Sequence, residues 1–175
     1  MNSPVLSLQL DRLRGDFDQS FRSAAGLPVA DLLSLVAIRL GGEPLVLRTD
    51  QISGIARRRR VVPVPSRLPQ LLGITSLRGA LLPVFSLAAL LELPRRDEAG
   101  SWLAFAHREA PLAFAFDDFE GQIEVQPGCL YEAGGAVRRH LRQLAQIGSA
   151  VRGVVDMASI VEAIRSAAAL SRSSQ

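Results

Sequence analysis

No lysine occurs anywhere in this 175-residue chain; all 20 basic residues are arginine. That excludes Schiff-base chemistry, a phosphate-loop lysine and a lysine general base. The single cysteine, Cys129, excludes an internal disulfide and fits a reducing compartment. Only two histidines are present, His107 and His140, and neither has a partner at metal-ligand spacing, so no zinc site is expected. One tryptophan and one tyrosine leave few platforms on which bases could stack. No apolar run is long enough for a signal peptide or a membrane span, which makes a cytoplasmic protein without membrane insertion the expectation. The formal charge of +3 does not by itself imply nucleic acid.

What the chain does have is a repeat. Leu35 to Leu40, a turn ending in Pro44, and Leu45-Val46-Leu47 recur at an offset of 67 as Trp102 to His107, a turn ending in Pro111, and Leu112-Ala113-Phe114. The turn Arg78-Gly79, the run Ala80 to Phe85, Ser86 and Leu87 to Leu93 recur at an offset of 70 as Gly148-Ser149, Ala150 to Val155, Asp156 and Met157 to Ile164. Two copies at so long a period indicate paired subdomains of like fold rather than a solenoid. Each half, at about 65 residues, is too small for a comfortable core of its own, so the halves are expected to share apolar surface. The groove between them is then the default binding site.

The periodicity divides the chain into parts. Leu6, Leu10, Leu13, Phe17 and Phe21 fall on one helical face, which predicts an N-terminal helical extension over residues 1–30. From residue 34 to 168 short extended runs bounded by glycine and proline predict about five strands per half, with subdomains near 34–95 and 100–168. The first hairpin turns at Gly41-Gly42. Pro63 and Pro65 confine their stretch to an edge or a strand end, because proline lacks the N–H that a central strand needs. Ser86 and Asp156 are placed to cap short helices, and Met157, Ile160, Val161 and Ile164 are spaced as one buried stripe. Five short strands with exposed edges are best accommodated by curling into a small barrel. The expected fold is therefore mainly β: two packed five-stranded SH3-like barrels with short helices, plus the N-terminal helix.

Chemistry is harder to find than architecture. Asp117 and Asp118 are consecutive and point to opposite faces, so they cannot cooperate on one substrate; Asp117 corresponds to Asp50 through the repeat, which suggests a shared turn role. His107 reads as a satisfied core or edge histidine. The run Arg57 to Arg60 could contact RNA phosphates, giving an alternative reading as a small RNA-binding barrel, but an extended run sends two arginines to each face. A solvated edge that resists aggregation is the favoured reading of that run.

One region carries a more specific message. Pro63-Val64-Pro65, Leu71-Leu72-Gly73-Ile74, Leu77-Arg78-Gly79, Leu82-Pro83-Val84 and Leu87, in this order and spacing, resemble the signature region of the CheW-like family, with Ser76 and Ser86 where that family has asparagine and aspartate. Weaker likeness runs from about Ser34 to Ile164. The resemblance implies two five-stranded barrels, no catalysis and no cofactor. It implies an adaptor that couples a chemoreceptor, through its cytoplasmic tip, to the regulatory domain of a CheA-type histidine kinase in bacterial chemotaxis. Its partner-binding positions fall here on Ile52, Gly73, Leu77, Arg78 and Gly79. Gly73 and Gly79 also have conformational explanations, close packing and a hairpin turn. Arg78 has none, because a hairpin does not require arginine at its tip, and an exposed guanidinium suits bidentate contact with a partner carboxylate.

Overall fold

The structure is a computed structural model, and it describes residues 32–57, 60–94, 102–106, 110–134 and 138–173. The N-terminal extension, Arg58, Arg59 and His107 lie outside the described residues. Leu33 to the C-terminus forms one compact unit.

Among the described residues eleven strands follow one another as β1 (Leu33–Leu40), β2 (Glu43–Arg48), β3 (Ile52–Arg57), β4 (Leu71–Leu77), β5 (Ala80–Ser86), β6 (Trp102–Ala106), β7 (Ala113–Phe116), β8 (Asp118–Val125), β9 (Leu130–Glu132), β10 (Leu141–Ile147) and β11 (Ala150–Val155). Helix α1 (Leu87–Leu90) follows β5, and α2 (Met157–Ser173) follows β11. The turns form where residue chemistry allows them. Gly41 and Gly42, at φ of 61° and 90°, close the β1–β2 hairpin, the geometry that favours glycine in a two-residue loop. Ser86 accepts a 3.2 Å hydrogen bond from the Ala89 amide, and Asp156 accepts one of 3.0 Å from Ser159, so both capping expectations hold. Gln51, from the other half of the chain, adds a second acceptor at the start of α2 by taking the Met157 amide at 3.1 Å.

The strands make two sheets, in the orders β8-β1-β2-β11-β10-β9 and β3-β6-β7-β5-β4. The first therefore has six strands rather than the expected five. Neither sheet is built from one half of the sequence: each takes the opening hairpin of one repeat and the later strands of the other. A division at residues 95–100 thus separates the copies in sequence but not in space. The reason lies in the links. Only Asp117 stands between β7 and β8, and since the tightest hairpin needs a two-residue loop, the chain cannot reverse and runs on into the opposite sheet. In the first copy the same passage is made by a 3-10 turn, Thr49–Gln51. Parallel pairings of β2 with β11 and β5 with β7 join the exchanged pieces.

One stretch of chain also runs along both edges of each sheet and curls it. In the second sheet the segment leaving β3 reaches the far edge, where Val62 donates to the Ile74 carbonyl at 2.8 Å and accepts from its amide at 2.9 Å. In the first, β8 and β9 are the two edges and are joined by a short 3-10 turn.

Both faces of β1 are buried, which explains its unbroken apolar run. Leu35 and Ala37 fill the first barrel with Val46, Val125, Ala145 and Val154, whereas Val36 and Ile38 face the other sheet. Leu82, Val84, Leu103 and Phe105 fill the second barrel. The largest cluster lies between the sheets and under the helices, where Phe114, Phe116, Leu87, Met157 and Ile160 are almost fully buried. The shared apolar surface expected of two undersized halves is this central layer. One end of the first barrel carries a charged group: Glu120 receives hydrogen bonds from Arg152 and, at 3.0 Å, from the Nε of Arg39. These contacts, with Arg152 the larger influence, hold the Glu120 carboxyl below its ordinary range.

Candidate functional site

The β4–β5 hairpin overhangs its sheet. β5 pairs with β4 back to Ala80, but with β7 only from Val84 onward, so the tip projects about four residues, or roughly 13 Å, beyond the last three-strand row. Leu77 and Ala80 close the loop, with Arg78 at φ 50° and Gly79 at φ 84°. Both central residues at positive φ define the type I′ loop that matches strand twist and favours Asn-Gly. Arginine in the left-handed region is uncommon and costs of order 1 kcal/mol. Arg78 is exposed and forms no ion pair among the described residues. In the repeat copy of this turn only Gly148 has positive φ.

Strand register assembles a surface behind this tip. Val62 is opposite Ile74, Ile74 opposite Pro83, and Ser76 opposite Leu81, so these side chains share the outer face of the barrel. Arg60, two residues before Val62, returns to that face, and its carbonyl accepts the Thr75 hydroxyl at 3.1 Å. Leu81 is 70% exposed and Val62 46%. Between Asp50 and Glu92 the sequence has six arginines and no acid. The face is thus aliphatic with a basic margin. Arg57 is occupied differently, its guanidinium lying 5.9 Å from the centre of the Trp102 ring.

The first sheet carries the same face in the repeat position. Leu144 is opposite both Tyr131 and Gly153, and Gln146 is opposite Val151. Six large apolar side chains are exposed among the described residues, and four of them form two repeat-related pairs, Leu81 with Val151 and Val62 with Tyr131. Scattered exposed leucines need no explanation, but exposure repeated at equivalent positions does.

The sequence-derived positions separate into two kinds. Arg78 and Gly79 sit at the exposed tip, with Leu77 half-buried beneath them against the barrel interior. Gly73 is buried under Val62: a Cβ there would stand 2.2 Å from the Val62 carbonyl oxygen and 2.9 Å from the Pro63 Cα. Its identity follows from barrel closure. Ile52 is 8% exposed and paired with Ala106 in the central layer, and its neighbours Gln51 and Ala106 line a groove between the second sheet and α2. That groove, of about 320 Å³, is lined by Ala106, Ala110, Met157, Ala158 and Val161, with Gln51, Glu162 and Arg165 supplying its polar atoms. Val62 and Leu81 were not singled out by the sequence reading, Arg60 only within the run Arg57 to Arg60, and Met157 and Val161 only as part of a buried stripe. The alternation of Arg60-Val62 and Ser76-Arg78 was the signal for the first three, once their pairing is known.

Asp117 and Asp50 do not share a turn role. Asp117 is buried and its Oδ2 accepts the Gly41 amide at 2.7 Å, fixing the turn of the exchanged hairpin from 76 residues away. Asp50 is exposed and paired with Arg48 at 2.6 Å, and that hydrogen bond lowers its pKa. Among the described residues no group of three or more His, Cys, Asp or Glu side chains could hold a metal ion, and no helix is long and apolar enough to cross a membrane.

Comparison with known proteins places these surfaces in context. A family model described as the CheW-like domain matches residues 34–165. No curated protein matches. Among solved structures, the scaffolding protein CheW of Thermoanaerobacter tengcongensis superposes with a TM-score of 0.62 at 12% identity, covering 71% of this chain and 88% of that one. At that identity the likeness is one of fold.

Proposed function

Because this chain belongs to the CheW-like domain family, we propose that it is a non-enzymatic adaptor of a chemosensory system, joining a receptor to a CheA-type histidine kinase through two separate surfaces. The observation that carries the reading is Arg78, held in a left-handed conformation at an overhanging tip, exposed, and backed by Leu81 and Val62. Strain at an exposed residue with no hydrogen bond or ion pair among the described residues points to an external task. Arginine beside exposed aliphatic surface is also the composition of a binding hot spot. In this reading the hairpin face contacts the regulatory domain of the kinase, and the apolar groove beside Ile52 takes the receptor's helical tip, whose aliphatic side chains would cover Ala158 and Val161.

The test is copurification of the kinase regulatory domain and a receptor cytoplasmic fragment with this protein, alongside receptor-dependent kinase autophosphorylation. Arg78→Glu should weaken kinase binding at least about tenfold while the circular dichroism spectrum stays unchanged, the loss expected when a hot-spot charge is reversed. Undiminished binding by Arg78→Glu would remove the role given to this residue. Failure to bind either fragment would remove the adaptor reading itself.

A further inference from the structure

A second cavity lies on the opposite side of α2 from the groove. It has a volume of about 190 Å³ and is enclosed by four elements: the segment before β4, the end of β5 with α1, the turn before β10, and α2. Ala89, Ala163 and Ala167 leave the space open, and Leu68, Phe85, Leu90 and Ile164 supply apolar walls. At ~30 Å³ per water it holds about six waters, which is too small for a drug-sized ligand and suits a molecule of a few carbons.

Its polar groups are unusually placed. Three non-glycine residues have positive φ among the described residues, and two of them, Glu92 at 57° and His140 at 62°, line this cavity. Such conformations persist only where the surroundings enforce them, and they aim side chains where ordinary backbone would not. His140 is 7% exposed. Its Nδ1 is 2.7 Å from the Ser159 hydroxyl on α2, and its Nε2 makes no hydrogen bond to any described residue. Burial, followed by the neighbouring Arg139, lowers its pKa and keeps the ring neutral near pH 7. Arg139 and Glu92, both exposed, add one cation and one anion, and neither forms an ion pair among the described residues. The cavity therefore offers apolar walls on one part of its lining, beside a cation, an anion and one buried neutral imidazole.

From this set we infer that the cavity is a binding site for a small zwitterion with an aliphatic tail, of the class of a free α-amino acid. Arg139 with the His140 Nε2 receives the carboxylate, Glu92 receives the ammonium group, and Leu68, Phe85, Leu90 and Ile164 enclose the side chain. An anion alone would leave Glu92 opposed to it, and a cation alone would leave Arg139 so. The adaptor reading is not needed for this site, although α2 is a wall of both the cavity and the groove.

Calorimetric titration and thermal melting of the full chain with L-leucine, 4-methylpentanoate and 3-methylbutylamine test the assignment. Leucine should give saturable heat and raise the melting temperature by mass action, and each truncated probe should bind at least about tenfold more weakly. Arg139→Gln should weaken leucine and 4-methylpentanoate but leave 3-methylbutylamine unchanged, and Glu92→Gln should weaken leucine and 3-methylbutylamine but leave 4-methylpentanoate unchanged. Ala163→Phe should abolish all binding by filling the chamber; if it does not fold, the two surface variants decide. The site is refuted if none of the probes gives saturable heat up to about 10 mM, where anything tighter than millimolar would fill it. It is also refuted if leucine binding survives in folded Ala163→Phe or is unaffected by both charge variants. Equal affinity for 4-methylpentanoate and leucine would overturn the zwitterion class.

Discussion

Gly73→Ala separates a structural glycine from a partner-contacting one. A Cβ at residue 73 would stand 2.2 Å from the Val62 carbonyl oxygen, 2.7 Å from its carbonyl carbon and 2.9 Å from the Pro63 Cα, and all three are backbone atoms that no rotamer change can move. The φ of +144° adds conformational strain for any side chain. Relief requires the closing segment to leave β4, which breaks both Val62–Ile74 hydrogen bonds. Two such bonds contribute about 1 kcal/mol each, and the strain costs about 1–3 kcal/mol, giving a loss of about 3–5 kcal/mol. Against a domain stability of about 5–15 kcal/mol this is severe, and it corresponds to a melting temperature lower by roughly 6–20 °C. Urea denaturation and amide exchange at Val62 and Ile74 are the assays. Gly79→Ala is the control: nothing lies within 4 Å of its added Cβ, so only the cost of its φ of +84°, about 1 kcal/mol, is expected. A Gly73→Ala protein with normal stability and protected amides, yet impaired in partner binding, would refute the reasoning.

Asp117→Ala should destabilise by about 1–3 kcal/mol, because it strips the Gly41 amide of its acceptor, whereas Asp118→Ala on the exposed strand face should change little in the same urea titration. Glu120, its pKa depressed first by Arg152 and then by Arg39, contributes stability that is complete above its ordinary value of 4.5 and is lost as pH falls through the lower folded value; Glu120→Gln should flatten that acid limb of a stability–pH curve. His140 titrates in a higher window. Its folded pKa lies below 6.5, so the unfolded chain takes up the proton first and stability declines as pH drops below about 6.5, a decline that His140→Asn should remove.

Much of the fold was legible in the residues. The offset repeat, the glycine turn at Gly41-Gly42, the Ser86 and Asp156 caps and the buried stripe of α2 all follow from local chemistry and spacing. What spacing cannot give is partnership between distant strands. A period of two says which side chains share a face but not which strand lies alongside, so the exchange of opening hairpins between the sheets was hidden. Its one local clue was the lone residue Asp117 between the apolar run Ala113 to Phe116 and the alternating run that ends at Val125. The site divides the same way. Arg78 stood out because no turn requires it, and close packing was the expected reason for Gly73, whereas Ile52 needed coordinates to show it paired with Ala106 in the central layer. The exposed Val62, Leu81, Tyr131 and Val151 became a pattern only when register set them on matching faces.

The crossing of hairpins between the sheets leaves neither half able to stand by itself. If the chain were severed between Pro94 and Trp102, each fragment would hold two strands of one barrel and at least three of the other, and could complete its hydrogen bonding only with its complement. Co-expressed fragments should therefore reconstitute one folded body, and neither should fold when made alone. Two intact chains could likewise trade halves, giving an intertwined dimer with every ladder preserved.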